Sequence, residues 1–273
     1  MMIRVVKAEY RKHARRPAFR VAAGLVGLLI GFAYGIGLAE VIWPSIAPSG
    51  GFNVLTLYPD QFVNNVTGAA GLSAAIAMVV GALMAGSDYS WGTFKTALTQ
   101  GPGRLTTVAG RVVSYLLFTG LLTLVIFAVG AAASAFVAMY EGHAITWPAA
   151  IEVVKGFGAI LLVLSVSGTL GMVLGTLFRQ PAAAVGVGLV YGLALQVLVV
   201  RFIAGINGGA YKWIADLFEG QNSTALLHYF TSPAFGPSRP AEISAGTAVL
   251  VLLAYVAVYV IATATLVRQR DVT

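Results

Sequence analysis

Six long stretches without a charged residue divide this chain of 273 residues. An α-helix rises about 1.5 Å per residue, so each stretch is long enough to cross about 30 Å of hydrocarbon. The fourth and fifth are separated only by Arg-Gln-Pro, where the proline ends one helix and a tight turn begins the next. The pattern predicts a single-domain, all-α polytopic membrane protein with transmembrane helices at 18–40, 61–86, 105–140, 152–178, 181–203 and 243–267.

The composition is typical of a membrane protein. Hydrophobic residues make up 58% of the chain, charged residues 10%, and the mean hydropathy is +0.86, whereas soluble domains carry about 25% charged residues. Cysteine is absent, which excludes disulfides and thiolate chemistry. The net charge of +7 would suggest nucleic acid for a soluble protein. Here we expect it to set orientation and to attract anionic lipid, with no nucleic-acid partner.

The distribution of charge predicts which way the helices point. With both termini in the cytoplasm, 13 of the 17 basic residues fall in inner segments and seven of the ten acidic residues in outer ones. The positive-inside rule favours this arrangement over its reverse. We therefore expect a multi-pass protein of a prokaryotic cell membrane with cytoplasmic N- and C-termini.

Residues 2–16 predict a separate amphipathic helix on the inner leaflet. Ile3, Val6, Tyr10 and Ala14 share one face of a helical wheel. We expect the opposite, basic face to contact lipid phosphates or a cytoplasmic partner. The alternative is an ordinary basic flank that only fixes the topology. The basic face consists of Arg4, Arg11, Lys12, Arg15 and Arg16.

A short polar segment, 87–103, separates the second and third hydrophobic stretches. Ser87 or Asp88 is suited to cap a helix, and Gly-Pro-Gly at 101–103 would end it. The segment predicts a short amphipathic helix whose stripe packs either on the membrane interface and the feet of the spans or in a groove of a partner protein. The stripe consists of Trp91, Phe94 and Leu98.

Several kinds of chemistry are missing from the sequence. None of the five lysines belongs to a G-x-x-x-x-G-K-[ST] phosphate loop, so we expect no ATP hydrolysis by this chain. The three histidines are far apart, which argues against a shared metal site. The cores of the predicted spans contain no ionisable residue, whereas a proton-driven pump normally has a buried carboxylate. We therefore expect no catalytic residue, cofactor or metal here, and an energy source outside the chain.

Small and polar residues within the spans are candidates for assembly and for a translocation path. Glycines four positions apart let helices approach closely in lipid; we expect packing within one chain or between the first and fifth spans of two chains. These glycines are Gly27, Gly31, Gly35, Gly188 and Gly192, with a further pair at Gly171 and Gly175. The polar candidates are Asn64, Asn65 and the central Gln196, which forms an interhelical hydrogen bond or faces the path.

The outer segment 204–242 is rich in aromatic residues, which suit the membrane interface. A segment of about 40 residues is too long to lack structure of its own. We predict short interfacial or partly re-entrant helices near 211–218 and 223–230.

The segment SDYSWGTFKTALTQGPGR at 87–104, followed by Arg111, resembles the cytoplasmic loop of ABC-2-type transporter permeases. That family shows an acidic residue, Gly-Thr, leucine, proline and arginine, then a basic residue in the third span. Here Asp stands where Glu is usual, and Arg where Lys is common. The segment at 175–192 and the ending RQRDVT are similar to the same family. The matching residues are Asp88, Gly92, Thr93, Leu98, Pro102, Arg104 and Arg111.

The resemblance implies the permease subunit of an ATP-driven exporter that pairs with a second permease copy and with two separate ATP-binding cassette subunits, which hold ATP and magnesium. It implies that the 87–103 loop is the coupling helix on which those subunits dock. An alternative class is a stand-alone six-helix secondary carrier, which a buried carboxylate would favour, or a non-transport membrane scaffold. The docking residues would be Asp88, Trp91, Gly92, Thr93, Phe94, Leu98 and Arg104.

Overall fold

The computed structural model describes residues 2–43, 54–90, 103–230 and 243–269, and within them the fold is all-α. Six helical spans are long and apolar enough to cross a membrane, which confirms the predicted fold class. The helices are α1 (Met2–Ala14), α2 (Pro17–Ile42), α3 (Phe62–Ser90), α4 (Arg104–Tyr140), α5 (Ala150–Phe178), α6 (Pro181–Val190), α7 (Gln196–Gly205), α8 (Lys212–Ala215), α9 (Glu219–His228) and α10 (Ala245–Gln269). The spans are α2, α3, α4, α5, the continuous pair α6 and α7, and α10.

The observed spans lie close to the predicted ones, with one informative exception. The second span, α3, continues to Ser90 instead of ending at 86. Ser87 and Asp88 therefore lie in its last turns, and the expectation that either residue caps a new helix is wrong. The helix continues because cationic side chains from α1 and α4 compensate the buried Asp88 carboxylate.

Small residues bring α3 and α5 into close contact at the centre of the bundle. A Cβ atom added at Gly171 would lie 2.1 Å from the carbonyl oxygen of Met78, and one at Gly175 would lie 2.6 Å from that of Ala82. Backbones this close leave no room for a larger side chain. The Gly171 and Gly175 pair therefore serves packing within one chain.

Helix α1 packs on the third span, α4, with a face that includes Lys12 of the predicted basic side, whereas most residues of both predicted sides of the wheel are exposed. The hydroxyl of Ser114 donates to the carbonyl of Val6 at 3.1 Å. A Cβ atom at Gly110 would lie only 2.7 Å from Val5 Cγ1. The inward face carries Glu9, Lys12 and His13, and Arg16 lies between α1 and α2, whereas Ile3 and Tyr10 are exposed.

The expected orientation of Lys12 and Arg16 is therefore wrong. Their charges are used inside the protein, because they neutralise an acidic residue of the second span. The exposed basic residues of this region are Arg4, Lys7, Arg11, Arg15 and Arg20.

The fifth span is interrupted and the chain after it turns back into the bundle. A π-helical turn, Tyr191–Leu195, separates α6 from α7. Beyond α7, Asn207 and Gly208 adopt left-handed backbone angles and reverse the chain. Helix α8 then packs along α7, and α9 packs against the second, fourth and sixth spans. Helices α8 and α9 occupy the region in which short helices are predicted.

Candidate functional site

An ion-pair cluster joins α1, α3 and α4 at one end of the bundle, which we name the basic end. Asp88, 1% exposed, accepts hydrogen bonds from Lys12 Nζ at 2.6 Å, Arg16 Nη2 at 3.2 Å and Arg111 Nη2 at 2.7 Å. Arg111 is equally buried. Three cations around one carboxylate offset the cost of removing that carboxylate from water. The cluster thereby ties the end of the second span to the start of the third and to α1.

Two further side chains of α1 extend the cluster. His13 Nε2 lies 3.2 Å from Glu9 Oε2, and both side chains are buried. Burial raises the pKa of the Glu9 carboxyl, but the His13 hydrogen bond and the charges of Arg111 and Lys12 outweigh it, and the net pKa is lowered. Burial lowers the pKa of the His13 imidazole despite its bond to Glu9. His13 is therefore held mainly neutral and Glu9 ionised at neutral pH.

Of the predicted docking residues, Asp88 and Arg104 lie among the described residues and the others do not. Asp88 is enclosed by side chains of its own chain, so its carboxylate is not presented on the surface for a partner. Arg104 begins α4, and its Nη1 donates to the carbonyl of Arg268 at 3.2 Å, which links the third and sixth spans. The remaining docking residues, Trp91, Gly92, Thr93, Phe94 and Leu98, lie outside the described residues.

The glycines predicted to mediate assembly differ in their surroundings. A Cβ atom at Gly188 would lie 2.5 Å from the sulfur of Met78, so this glycine packs within the chain. One at Gly27 would make ordinary contacts of 3.6 Å with Val125 and Val129 of the third span. Around Gly31, Gly35 and Gly192, no heavy atom of the described residues lies within 4 Å of the added Cβ.

Asn64 and Asn65 line a cavity of about 530 Å³ between α2, α3 and α9. Their side chains are anchored, since Asn64 Nδ2 donates to Gln61 Oε1 at 2.5 Å and Asn65 Nδ2 donates to the carbonyl of Thr56 at 2.6 Å. Most of the wall is apolar, and Tyr34 and His228 add polar groups. The structure thus places both asparagines in the wall of one cavity, away from Gln196, which does not line it.

Gln196 leads to a residue that the sequence interpretation missed. It begins α7 and is 6% exposed, and its Nε2 has no hydrogen-bond partner among the described residues. A Cβ atom at Gly220 would lie 2.9 Å from Gln196 Cδ, so a larger residue here would have to displace the end of the Gln196 side chain. The neighbour of Gly220, Glu219, is buried at 7% exposure.

Glu219 is held against the sixth span well inside the bundle. Tyr259 Oη donates to Glu219 Oε2 at 2.5 Å. Tyr259 follows Ala245, the first residue of α10, by 14 positions, or about 21 Å of helix. Burial raises the pKa of the Glu219 carboxyl to about 7, although the Tyr259 hydrogen bond acts in the opposite direction. Glu219 lies between spans in the sequence, so a search for charges within apolar stretches does not find it.

Comparison with known proteins places the chain in a family. No curated protein matches it. A family model described as "Protein of unknown function (DUF2705)" matches residues 28–273, which include all six spans apart from the first turns of α2. The chain belongs to the DUF2705 family.

Proposed function

We propose that this protein is the permease subunit of an ATP-driven exporter, working as a dimer with two separate ATP-binding cassette subunits. The observation that carries the proposal is the ion-pair cluster around Asp88. It joins α1 to the second and third spans, which are connected in the chain by the 87–103 loop that resembles a coupling loop. A displacement of that segment would be passed to all three helices together, because buried ion pairs resist separation.

In this proposal the basic end faces the cytoplasm of a prokaryotic cell. Arg4, Lys7 and Arg11 of α1 and Arg15 just after it are exposed there, and exposed basic side chains next to a span favour the cytoplasmic, anionic leaflet. The ATP-binding subunits would dock on the same side. ATP and magnesium would be held by those subunits.

Copurification tests the proposal. The tagged chain is isolated from its native membrane in mild detergent, and magnesium-dependent ATP hydrolysis is measured on the eluate and again after the soluble partner is stripped away. We expect hydrolysis in the complex and none in the stripped chain. Sustained hydrolysis by the stripped chain would contradict the proposal that ATP is hydrolysed by separate subunits.

A pair of variants tests the docking segment itself. Trp91→Ala combined with Phe94→Ala should release the ATP-binding subunit, because burying each aromatic side chain in a groove contributes roughly 2–3 kcal/mol. Lys95→Ala is the matched control, since an exposed ion pair contributes about 0–1 kcal/mol. Full retention of the subunit by the double variant would mean that the stripe rests on the membrane.

One observation favours a second candidate, a secondary carrier. Glu219 is a buried carboxyl that contacts the sixth span deep in the bundle, and such groups commonly mark proton or ion pathways. Reconstitution into proteoliposomes separates the two candidates. A carrier would move its cargo with a proton gradient and no ATP-binding subunit, whereas the exporter would require the subunit and ATP.

A further inference from the structure

The Glu219 carboxyl has no cationic partner among the residues that the structure describes. Among the same residues, its carboxylate accepts one side-chain hydrogen bond, from the Tyr259 hydroxyl. A single hydroxyl does not replace the hydration of a carboxylate, so the buried ionised form needs either a proton or an external cation. The need for a positive charge does not by itself indicate which cation binds.

Three tyrosines lie near the Glu219 carboxyl and indicate which kind of cation the site prefers. Tyr255 and Tyr259 are four positions apart on one face of α10, with ring centroids 5.6 Å apart and tilted by 46°. Tyr191, in the π-helical turn of the fifth span, is close enough to interact with both Tyr259 and Glu219. Rings arranged beside a carboxylate attract organic ammonium groups through their negative faces.

A metal ion fits this site poorly. Magnesium and calcium take six or more oxygen ligands, and Glu219 is the only carboxylate bonded to this tyrosine pair among the described residues. Across the same part of the chain, no group of three or more histidine, aspartate or glutamate side chains could hold a metal ion. The chemistry of the cluster suits a large, weakly hydrated cation.

An apolar cavity of about 460 Å³ begins at the same tyrosine. It lies between the fourth and fifth spans, and Tyr191 is the polar residue of its wall. The rest of the wall is formed by Leu170, Leu174, Gly186, Val187, Val190 and Leu195. Tyr191 is the one residue that this cavity shares with the cluster, so bulky apolar substituents of a cation held near Glu219 would reach the cavity past Tyr191.

We infer that Glu219, Tyr191, Tyr255 and Tyr259 form a binding site for lipophilic organic cations, in which the cation displaces a proton from the Glu219 carboxyl. The proton leaves to water as the cation arrives, so the net charge of the site is unchanged. The Gln196 amide lies beside Gly220, the neighbour of Glu219, and its Nε2 donor has no partner among the described residues. As a statement about cargo, the inference rests on the proposed transport function.

Other titratable groups on the packed elements stand apart from this exchange. Helix α9 itself carries His228 at its far end, and the second and fourth spans carry their ionisable groups near their ends. Among the described residues, the Tyr259 hydrogen bond is the one side-chain interaction that shifts the pKa of the Glu219 carboxyl. The groups that stand apart are Asp88 and Tyr89 of α3, Glu152 and Lys155 of α5, Arg201 of α7, Lys212 of α8 and Asp216 before α9.

The test is binding of radiolabelled tetraphenylphosphonium to the purified chain without ATP. This probe is permanently charged, so a pH effect on affinity reports on the protein. We expect the affinity to fall about tenfold for each pH unit below 7, because a proton must leave. Addition of the probe at pH 6 in weak buffer should release protons, detected with a pH-sensitive dye.

Three variants complete the experiment. Glu219→Gln keeps the shape and an acceptor for Tyr259; it should weaken binding at pH 8 by about 30-fold or more and abolish both the pH slope and proton release. Tyr255→Leu should weaken binding of the probe but preserve the dependence of affinity on pH. If Glu219→Gln does not fold, this variant still tests whether the tyrosines bind the cation. Glu152→Gln, an exposed acid of the fourth span, should change nothing.

Two results would overturn the inference. One is wild-type affinity and pH slope in folded Glu219→Gln. The other is displacement of the probe by millimolar magnesium or calcium, with no displacement by unlabelled organic cation. Because no ATP-binding subunit is present, either result leaves the copurification test of the proposed function standing, and loss of copurification leaves the binding result standing.

Discussion

Two buried carboxyl groups of this protein, Asp88 and Glu219, are treated in opposite ways. Asp88 at the basic end is surrounded by Lys12, Arg16 and Arg111. Glu219, deep in the bundle, is bonded to the neutral Tyr259. A carboxylate that is fully compensated by its own chain contributes to structure, and its charge is fixed. A carboxyl that is not compensated keeps a choice between proton and cation, which is what a binding or transport site requires.

The largest effect is expected from removing the compensated charge. Asp88→Asn leaves three cations close together, with Lys12 and Arg16 near the N-terminus and Arg111 on α4. Removing one partner of a buried ion pair typically lowers the free energy of unfolding by about 3–5 kcal/mol. We expect the variant to lose most of its monodisperse fraction on size exclusion and to melt at a much lower temperature.

Asp60→Asn is the matched control for that experiment. Asp60 is exposed, and its carboxylate accepts a hydrogen bond from the neighbouring Gln61 side chain. We expect this variant to melt with the wild type. A wild-type melting curve for Asp88→Asn would show that the cluster does not hold the helices together.

Removing the uncompensated Glu219 charge should raise the stability of the protein instead of lowering it. The pKa of Glu219 is raised by burial to about 7 from about 4.5, so the unfolded chain releases this proton more readily than the folded one. Wild-type stability therefore falls as the pH rises from about 4.5 to about 7 and stays reduced above that range. Glu219→Gln has no such group and should be more stable than the wild type at pH 8, by about 3 kcal/mol, with little difference at pH 4.5.

The measurement is the difference in melting temperature between wild type and Glu219→Gln, taken from pH 4.5 to 8 in the absence of organic cations. The difference cancels contributions from other titrating groups. A difference that does not change with pH would show that Glu219 is solvated or paired in solution.

The contrast between the two carboxyls also marks the limit of sequence interpretation. The spans are set by long uncharged stretches, which local composition predicts well, and the described residues contain six such spans. The surroundings of Asp88 are not local, because its partners lie 76, 72 and 23 positions away. A helical wheel of α1 separates apolar from basic side chains, but it does not show that Lys12 and Arg16 have an acidic partner in the second span.

The sequence does not predict the burial of Glu219 for a different reason. It lies in a polar segment after the fifth span, so its sequence context resembles that of an exposed loop residue. The reversal at Asn207 and Gly208, and the close approach at Gly220, carry it back among the spans. The spacing of glycines offers a hint of such turns, but only the folded chain shows which buried groups meet.

A smaller effect of pH is expected at the basic end, and it runs opposite to that of Glu219. Burial holds the pKa of His13 below its usual value, so an undocked α1 takes up a proton near its normal pKa of about 6.5 before the docked one does. The docking free energy is fully present above that pH and is lost as the pH falls. The lowered pKa of Glu9 acts in the same direction at lower pH.

Hydrogen exchange, corrected for the intrinsic pH dependence of the amide rate, measures this docking. We expect protection of α1 amides to decrease between pH 7 and pH 5, whereas protection of α5 amides stays constant. His13→Gln keeps a side chain able to hydrogen-bond with Glu9 and should show a weaker dependence. Equal pH dependence in the wild type and this variant would contradict the assignment to His13.

The smallest expected effect is the difference in stability between variants that remove different cations of the cluster around Asp88. The Lys12 side chain is 29% exposed, whereas that of Arg111 is 2% exposed. Water screens the Lys12 pair with Asp88, and two cations remain when Lys12 is removed, so Lys12→Met should cost about 1 kcal/mol or less. Arg111→Met should cost more, because the carboxylate of Asp88 then loses the partner that shares its burial. Comparing the two melting temperatures in the same detergent tests whether burial, and not the number of cations, sets the strength of the cluster. Equal losses for the two variants would mean that the three cations are interchangeable.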